Sequence, residues 1–192
     1  MSRTKTFDEE ETLDRAVELF WSQGFDATSI ADLEKHLGLG RQSLYNTYGD
    51  KRNLFLRAMQ RYTERNRSEA VAPLLASDAS LDAIRLHFEG LVGFLTPSGP
   101  RRACLVTNSI LELGERDVDV AKRCSANQRA VRGGFEHALK NAVKLGELPE
   151  DFDVETWSGL LMTQVYGMAV MAKSGASAQE LKRSADLLLD RL

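Results

Sequence analysis

Apolar residues recur at helical spacing almost from one end of this chain to the other, and no stretch alternates with a period of two over a strand's length. That property excludes sheet architectures and predicts an all-α fold. The first segment places Leu13, Ala16, Val17 and Phe20 at i, i+3, i+4 and i+7. It follows an acidic run, which suits the positive end of a helix dipole, and Gly24 stops it. Thr28 or Ser29 can cap a second helix with Ile30, Leu33 and Leu37 as its stripe, broken by Gly38-Leu39-Gly40. A short third segment runs from Arg41 to Tyr48, and Asp50 then caps a long amphipathic helix through Leu54, Phe55, Ala58, Met59 and Tyr62.

Past Pro73 the texture changes. Ser80 opens a helix (Leu81, Ile84, Phe88, Leu91, Leu95) that ends at Pro97-Ser98-Gly99-Pro100, and another is expected from about Arg102 to Gly114. A long helix runs from about Asp117 to Lys144, interrupted only by Gly133-Gly134, and Asp153 starts the next. Ser177 and Glu180 form a capping box before a last helix with Leu181, Ala185, Leu188 and Leu192 on one face. The expectation is about nine helices. They divide into an N-terminal lobe (1–50), a connecting helix (51–76) and a larger C-terminal lobe (77–192). At 192 residues, 43% apolar and 28% charged, the chain can bury a core without a metal or disulfide staple, and disorder is excluded.

The third segment carries the chemistry. In a tri-helical unit the second helix braces a third, whose outer side chains can enter a DNA major groove. From Arg41 to Tyr48, Leu44 and one tyrosine point inward while Arg41, Gln42, Ser43 and Asn46 point out. Arg, Gln and Asn suit bidentate base contacts, and Ser can bond a base or a phosphate. Net charge is only −3, but residues 35–67 hold eight basic residues against Asp50 and Glu64. That local excess reads equally as the footprint of a polyanion or as a solvated helix face.

Thr28-Ser29, Gly38, Leu44-Tyr45, Tyr48 and Lys51 followed by Leu54-Phe55 together make residues 9–60 closely resemble the DNA-binding domain of the TetR family of bacterial transcriptional regulators. The resemblance implies a helix-turn-helix DNA-binding lobe, with Thr28, Ser29, Arg41, Gln42, Ser43, Tyr45, Asn46, Tyr48 and Lys51 at the DNA. It implies a homodimeric repressor on a pseudo-palindromic double-stranded operator, and a C-terminal lobe that dimerises and binds a small-molecule inducer. Two positions depart from the family pattern. Gly40 stands where a Ser or Thr cap usually opens the third helix, and Thr47 where a basic or imidazole side chain is frequent.

Several further residues carry two readings each. Cys104 is expected near a helix N-terminus and two residues from Arg102, both of which favour the thiolate. A cysteine at the start of the sixth helix occurs in a TetR subset that includes sensors of oxidants and electrophiles; otherwise Cys104 is a small buried hydrophobe. Thr107 and Asn108 interrupt an apolar helix, as polar handles in a pocket or as partners of a neighbouring carbonyl. The segment 157–172 is apolar all round, so one side can line a pocket with Met162 and Tyr166 while the other meets a second chain. With the Leu181/Ala185/Leu188/Leu192 face it is expected to form a two-fold interface. The expected ligand site comprises Phe88, Cys104, Asn108, Phe135, Met162 and Tyr166. His36, His87 and His137 lack metal-site spacing, so no metal and no cofactor are expected. No nucleotide-binding or hydrolase motif occurs, so a regulator is expected rather than an enzyme. A partner-protein mode, or an enzyme using Cys104, remain as alternatives. Two cysteines, no apolar leader and no apolar run of membrane length predict a cytoplasmic protein that contacts no membrane.

Overall fold

The computed structural model describes residues 7–97 and 104–192, so the expectations for Ser98, Gly99, Pro100 and Arg102 lie outside the described residues. Within them the chain forms nine α-helices: α1 (Glu9–Gln23), α2 (Ile30–Leu37), α3 (Arg41–Tyr48), α4 (Lys51–Asn66), α5 (Leu81–Leu95), α6 (Leu105–Leu113), α7 (Val118–Lys144), α8 (Val154–Lys173) and α9 (Ala178–Leu189). Their starts follow the capping logic of the sequence. Asp8, Ser29, Asp50, Asp117, Asp153 and Ser177 each accept backbone N–H bonds at a helix N-terminus. Glycines stop the early helices, with Gly24, Gly38 and Gly49 all at positive φ.

The connecting helix does not continue regularly to residue 76. A single π-helical turn, Arg67–Val71, widens it, and a 3-10 turn, Ala72–Leu75, ends it. Pro73 lacks the N–H an α-helix would need there.

Two cores result. The first joins α1 to α4 through Phe20, Leu33, Leu44, Phe55 and Met59, and takes Leu105 and Val106 from α6 and Val120 and Cys124 from α7. Phe20 meets Phe55 edge to face at 5.0 Å. The second packs α5, α8 and α9 around the C-terminal half of α7, with Phe88 and Phe135 stacked at 5.9 Å.

The last helix corrects the expected interface. Leu181 and Ala185 are buried in the protomer's own second core, with Leu188 packed against it. An amphipathic helix first satisfies its single apolar stripe inside its own lobe. What α8 and α9 leave outside is a different set: Leu160, Val170, Met171 and Leu187.

Candidate functional site

Helix α3 stands on α2 as a short braced rod. Leu44 and Tyr48 are buried, while Arg41, Gln42, Ser43, Tyr45 and Asn46 are exposed along its outer side. Gly40 offers no side-chain cap, and Glu34 of α2 supplies one instead, accepting the Arg41 N–H at 2.7 Å. The two helices are thereby tied at the point where α3 begins. Gln42 Nε2 donates to Asn46 Oδ1 at 2.9 Å, which aligns two amides on one exposed row. Burial, and then the negative charge of Glu9, push the Tyr48 phenol up to about 12, so it stays a donor; its hydroxyl has no partner among the described residues.

Other residues expected at the DNA are engaged inside the lobe. Thr28 is fully buried and its hydroxyl donates to Gly24 O at 2.6 Å. Ser29 is occupied in a reciprocal capping box with Asp32. Lys51 turns inward: its Nζ donates to Phe25 O at 2.9 Å and Thr28 O at 2.8 Å, and lies 4.2 Å from the Phe25 ring centroid. The basic residues of α4 are paired as well. Arg52 meets Asp117 and Asp119 at 2.6 and 2.7 Å, Arg57 meets Glu9, Arg61 meets Asp14 at 2.8 Å, and Arg65 meets Glu69 at 3.0 Å. Among the described residues of 35–67, only Lys35, Arg41 and Arg67 keep a cationic side chain without an ion pair or hydrogen bond. Much of the local positive excess therefore pairs α4 with α1 and α7.

A brace links the reading lobe to the larger one. Glu112, near the end of α6, accepts the N–H groups of Phe25 and Asp26 at 3.0 and 2.7 Å, and Arg116 pairs with Asp26 at 2.6 Å. At the other end of α6, Cys104 is the N-terminal cap residue and its carbonyl accepts the Asn108 N–H. One nine-residue helix thus holds the α1–α2 turn at one end and Cys104 at the other.

Cys104 faces a cavity of about 1250 Å³. That exceeds the range of roughly 300–1,000 Å³ usual for small-molecule sites. Cys104, Met162 and Tyr166 are brought together in its wall, as expected. Phe88 and Phe135 lie outside it, closed into the second core at 1% and 0% exposure. Asn108 also lies outside, accepting a bond from Lys173 Nζ at 3.0 Å. The wall contains residues the sequence reading did not single out for it: Trp21 of α1, Tyr62 of α4, and His87 and Phe94 of α5, beside Thr107 of α6. Glycine supplies a signal for them. Gly90 and Gly93 lie in the second half of α5, at a helix-propensity cost, and a Cβ at either would meet nothing within 4 Å.

Tyr62 O–H donates to Cys104 Sγ at 3.5 Å. Burial, followed by the charge of Cys104, raises the Tyr62 phenol well above its ordinary value. Cys124, in the first core, is pushed up to about 11 by burial. His87 is lowered by burial despite its contact with Ala70 O at 3.1 Å, so it is neutral. His137 lies 3.1 Å from Ala76 O. Among the described residues no three His, Cys, Asp or Glu side chains are grouped to hold a metal ion, and no helix is long and apolar enough to cross a membrane.

A tri-helical head of helix-turn-helix form joined to a larger helical body defines the class of two-lobed, all-helical DNA-binding regulators. Comparison with known proteins narrows that class. Residues 13–58 match the family described as bacterial regulatory proteins, tetR family, and residues 80–188 match the tetracyclin repressor-like C-terminal domain. The HTH-type transcriptional regulator YezE of Bacillus subtilis is 35% identical over 193 residues, with both chains covered completely. The HTH-type transcriptional repressor ComR of Escherichia coli is 28% identical over 188 residues, covering 97% of this chain and 90% of that one. A cysteine mutant of the TetR family regulator CifR, complexed with 26-base-pair double-strand operator DNA, shares the fold at a TM-score of 0.88, with 24% identity and 98% of each chain covered. This chain belongs to the TetR family of helix-turn-helix transcriptional regulators, which are not enzymes.

Proposed function

We propose that this protein is a homodimeric repressor that binds pseudo-palindromic double-stranded DNA through α3 and is released by a small molecule taken up in the cavity. The observation that carries the reading is the shared wall: Trp21 and Val17 of α1, within the reading lobe, line the same cavity as Cys104, Met162 and Tyr166 of the larger lobe. A ligand there touches both lobes. It can shift the balance between two arrangements only by binding one of them better. Helix α6, braced to the α1–α2 turn through Glu112, carries the displacement toward α3, and α4 carries it from Tyr62. Support for the DNA step comes from the exposed row Arg41, Gln42, Ser43, Tyr45 and Asn46, and from CifR, whose complex holds operator DNA. ComR supports repression as the output.

Support for the homodimer comes from the surface that α8 leaves uncovered: Leu160, Val170 and Met171, with Gly167 among them where a Cβ would meet nothing within 4 Å. Leu187 of α9 adds to it. A self-complementary face sets two reading heads for two half-sites about 34 Å apart.

The test is anisotropy titration of an operator fragment selected from genomic DNA, with sedimentation in parallel. Gln42→Ala should relax base preference at one position per half-site, by about 1–3 kcal/mol. Met171→Glu should give monomers that bind one half-site weakly. An unchanged sequence preference in the first variant, or an intact dimer in the second, refutes the corresponding part. If no compound in a broad panel weakens DNA binding, the inducer step fails. If Cys104→Ser keeps DNA affinity but loses release by thiol-reactive compounds, the thiol is the trigger; if it responds as the parent does, Cys104 only packs.

A further inference from the structure

The cavity wall has a chemical bias that its apolar composition conceals. Among the described residues lining it, the carboxylates are Asp14, Glu18, Glu69, Asp78 and Asp82, and the only permanent cation is Arg65. Arg65 is already paired with Glu69, and Asp14 with Arg61. Glu18, Asp78 and Asp82 have no ion pair among the described residues. Buried His87 is neutral and adds nothing positive.

Beside these charges lies an aromatic array. Trp21 stacks on Phe94 at 5.2 Å, and Tyr62 meets Trp21 edge to face at 5.5 Å. Aromatic faces attract cations, and a partly desolvated cation gains more than an exposed one. Elsewhere in the wall, Thr107 is 4% exposed and its hydroxyl has no hydrogen-bond partner among the described residues. A buried hydroxyl left unpaired is costly, so a ligand polar atom that reaches it gains a hydrogen bond the protein does not supply itself. Gly90 and Gly93 of α5 carry no side chain where a Cβ would meet nothing within 4 Å, leaving room for a planar ring system.

We propose that the ligand is an amphipathic monocation with a flat aromatic body: the body lies against Trp21, Tyr62 and Phe94, the positive group faces Glu18, and a polar atom reaches Thr107. This rests on the cavity being the ligand site. The acidic rim raises the local concentration of cations and repels anions of the same shape. Because Glu18 and Trp21 belong to α1, the charged end of the ligand is held by the reading lobe itself.

Three probes that share a pyrenylmethyl body test it: 1-pyrenemethylammonium, 1-pyrenemethanol and the carboxylate 1-pyreneacetate, each titrated into the full chain by fluorescence. The ammonium should bind about tenfold more tightly than the carboxylate, with the alcohol between them. Glu18→Gln, at an exposed position, should weaken the ammonium by about threefold to fivefold and leave the alcohol unchanged. Gly90→Phe, which fills open space, should abolish binding of all three while thermal melting confirms the fold. If the alcohol binds but the carboxylate equals or exceeds the ammonium, the charge assignment is overturned and the cavity survives as a ligand site. If binding persists in Gly90→Phe, the probes sit elsewhere and the proposal is overturned. If none of the three binds to protein that still binds DNA, the cavity reading falls together with it.

Discussion

At Gly24 two constraints coincide. Its φ of 86° with ψ of 173° is a conformation open almost only to glycine, and a Cβ there would sit 3.0 Å from Glu112 Oε2. The carboxylate cannot retreat without releasing the Phe25 and Asp26 N–H groups. Gly24→Ala should therefore lower stability by about 1–3 kcal/mol, read as a loss in thermal midpoint. Gly133→Ala, inside α7 with nothing within 4 Å of the new methyl, should raise stability by about 0.5–1 kcal/mol. A Gly24 variant as stable as the parent would remove Glu112 from the brace. At this scale the sequence is legible where periodicity decides and opaque where backbone groups do. Leu44 inward and Gln42 outward follow from 3.6 residues per turn. Thr28 and Lys51 were expected at the DNA, yet they close the α1–α2 turn through Gly24 O, Phe25 O and Thr28 O. Carbonyls carry no side-chain signature, so spacing cannot reveal that use.

Among the elements, α4 and α7 meet at Asp117, which caps α7 and accepts from Arg52 Nε and Nη2 at 2.6 and 2.8 Å. Those hydrogen bonds, foremost the one from Arg52, hold its carboxyl down to about 2 against burial. A depressed carboxyl stabilises the fold fully above its ordinary 3.8 and loses that contribution as pH falls through about 2. Asp117→Asn should thus be less stable than the parent at pH 7 in urea, with the gap closing between pH 4 and pH 2. A gap independent of pH would mean that the charge contributes nothing. The same pairing explains why the basic excess of residues 35–67 stays ambiguous in the sequence: the partners of Arg52, Arg57 and Arg61 lie 47 to 67 residues away. Helix α5 shows the other limit. Its apolar stripe, Ile84, Phe88 and Leu95, faces the core, and the cavity lies along His87, Gly90, Leu91 and Phe94. Residue 88 was expected to line the cavity and residue 87 does, because one step turns the side chain by about 100°.

Over the whole molecule, the two lobes are joined mechanically. Helix α7, 27 residues long, gives Val120 and Cys124 to the first core and Val131, Phe135 and Leu139 to the second. Cys104 packs against both. Residues 1–50 alone would lack Leu54, Phe55, Met59 and Tyr62, the aromatic and aliphatic filling of their own core. A rod shared by two cores couples the melting of one to the melting of the other. The chain has two tryptophans, Trp21 packed on the first core and Trp157 on the second. Single-tryptophan variants should therefore report one and the same urea midpoint, and the reading head should have no separate, cheaper unfolding step through which proteases could remove it from the body.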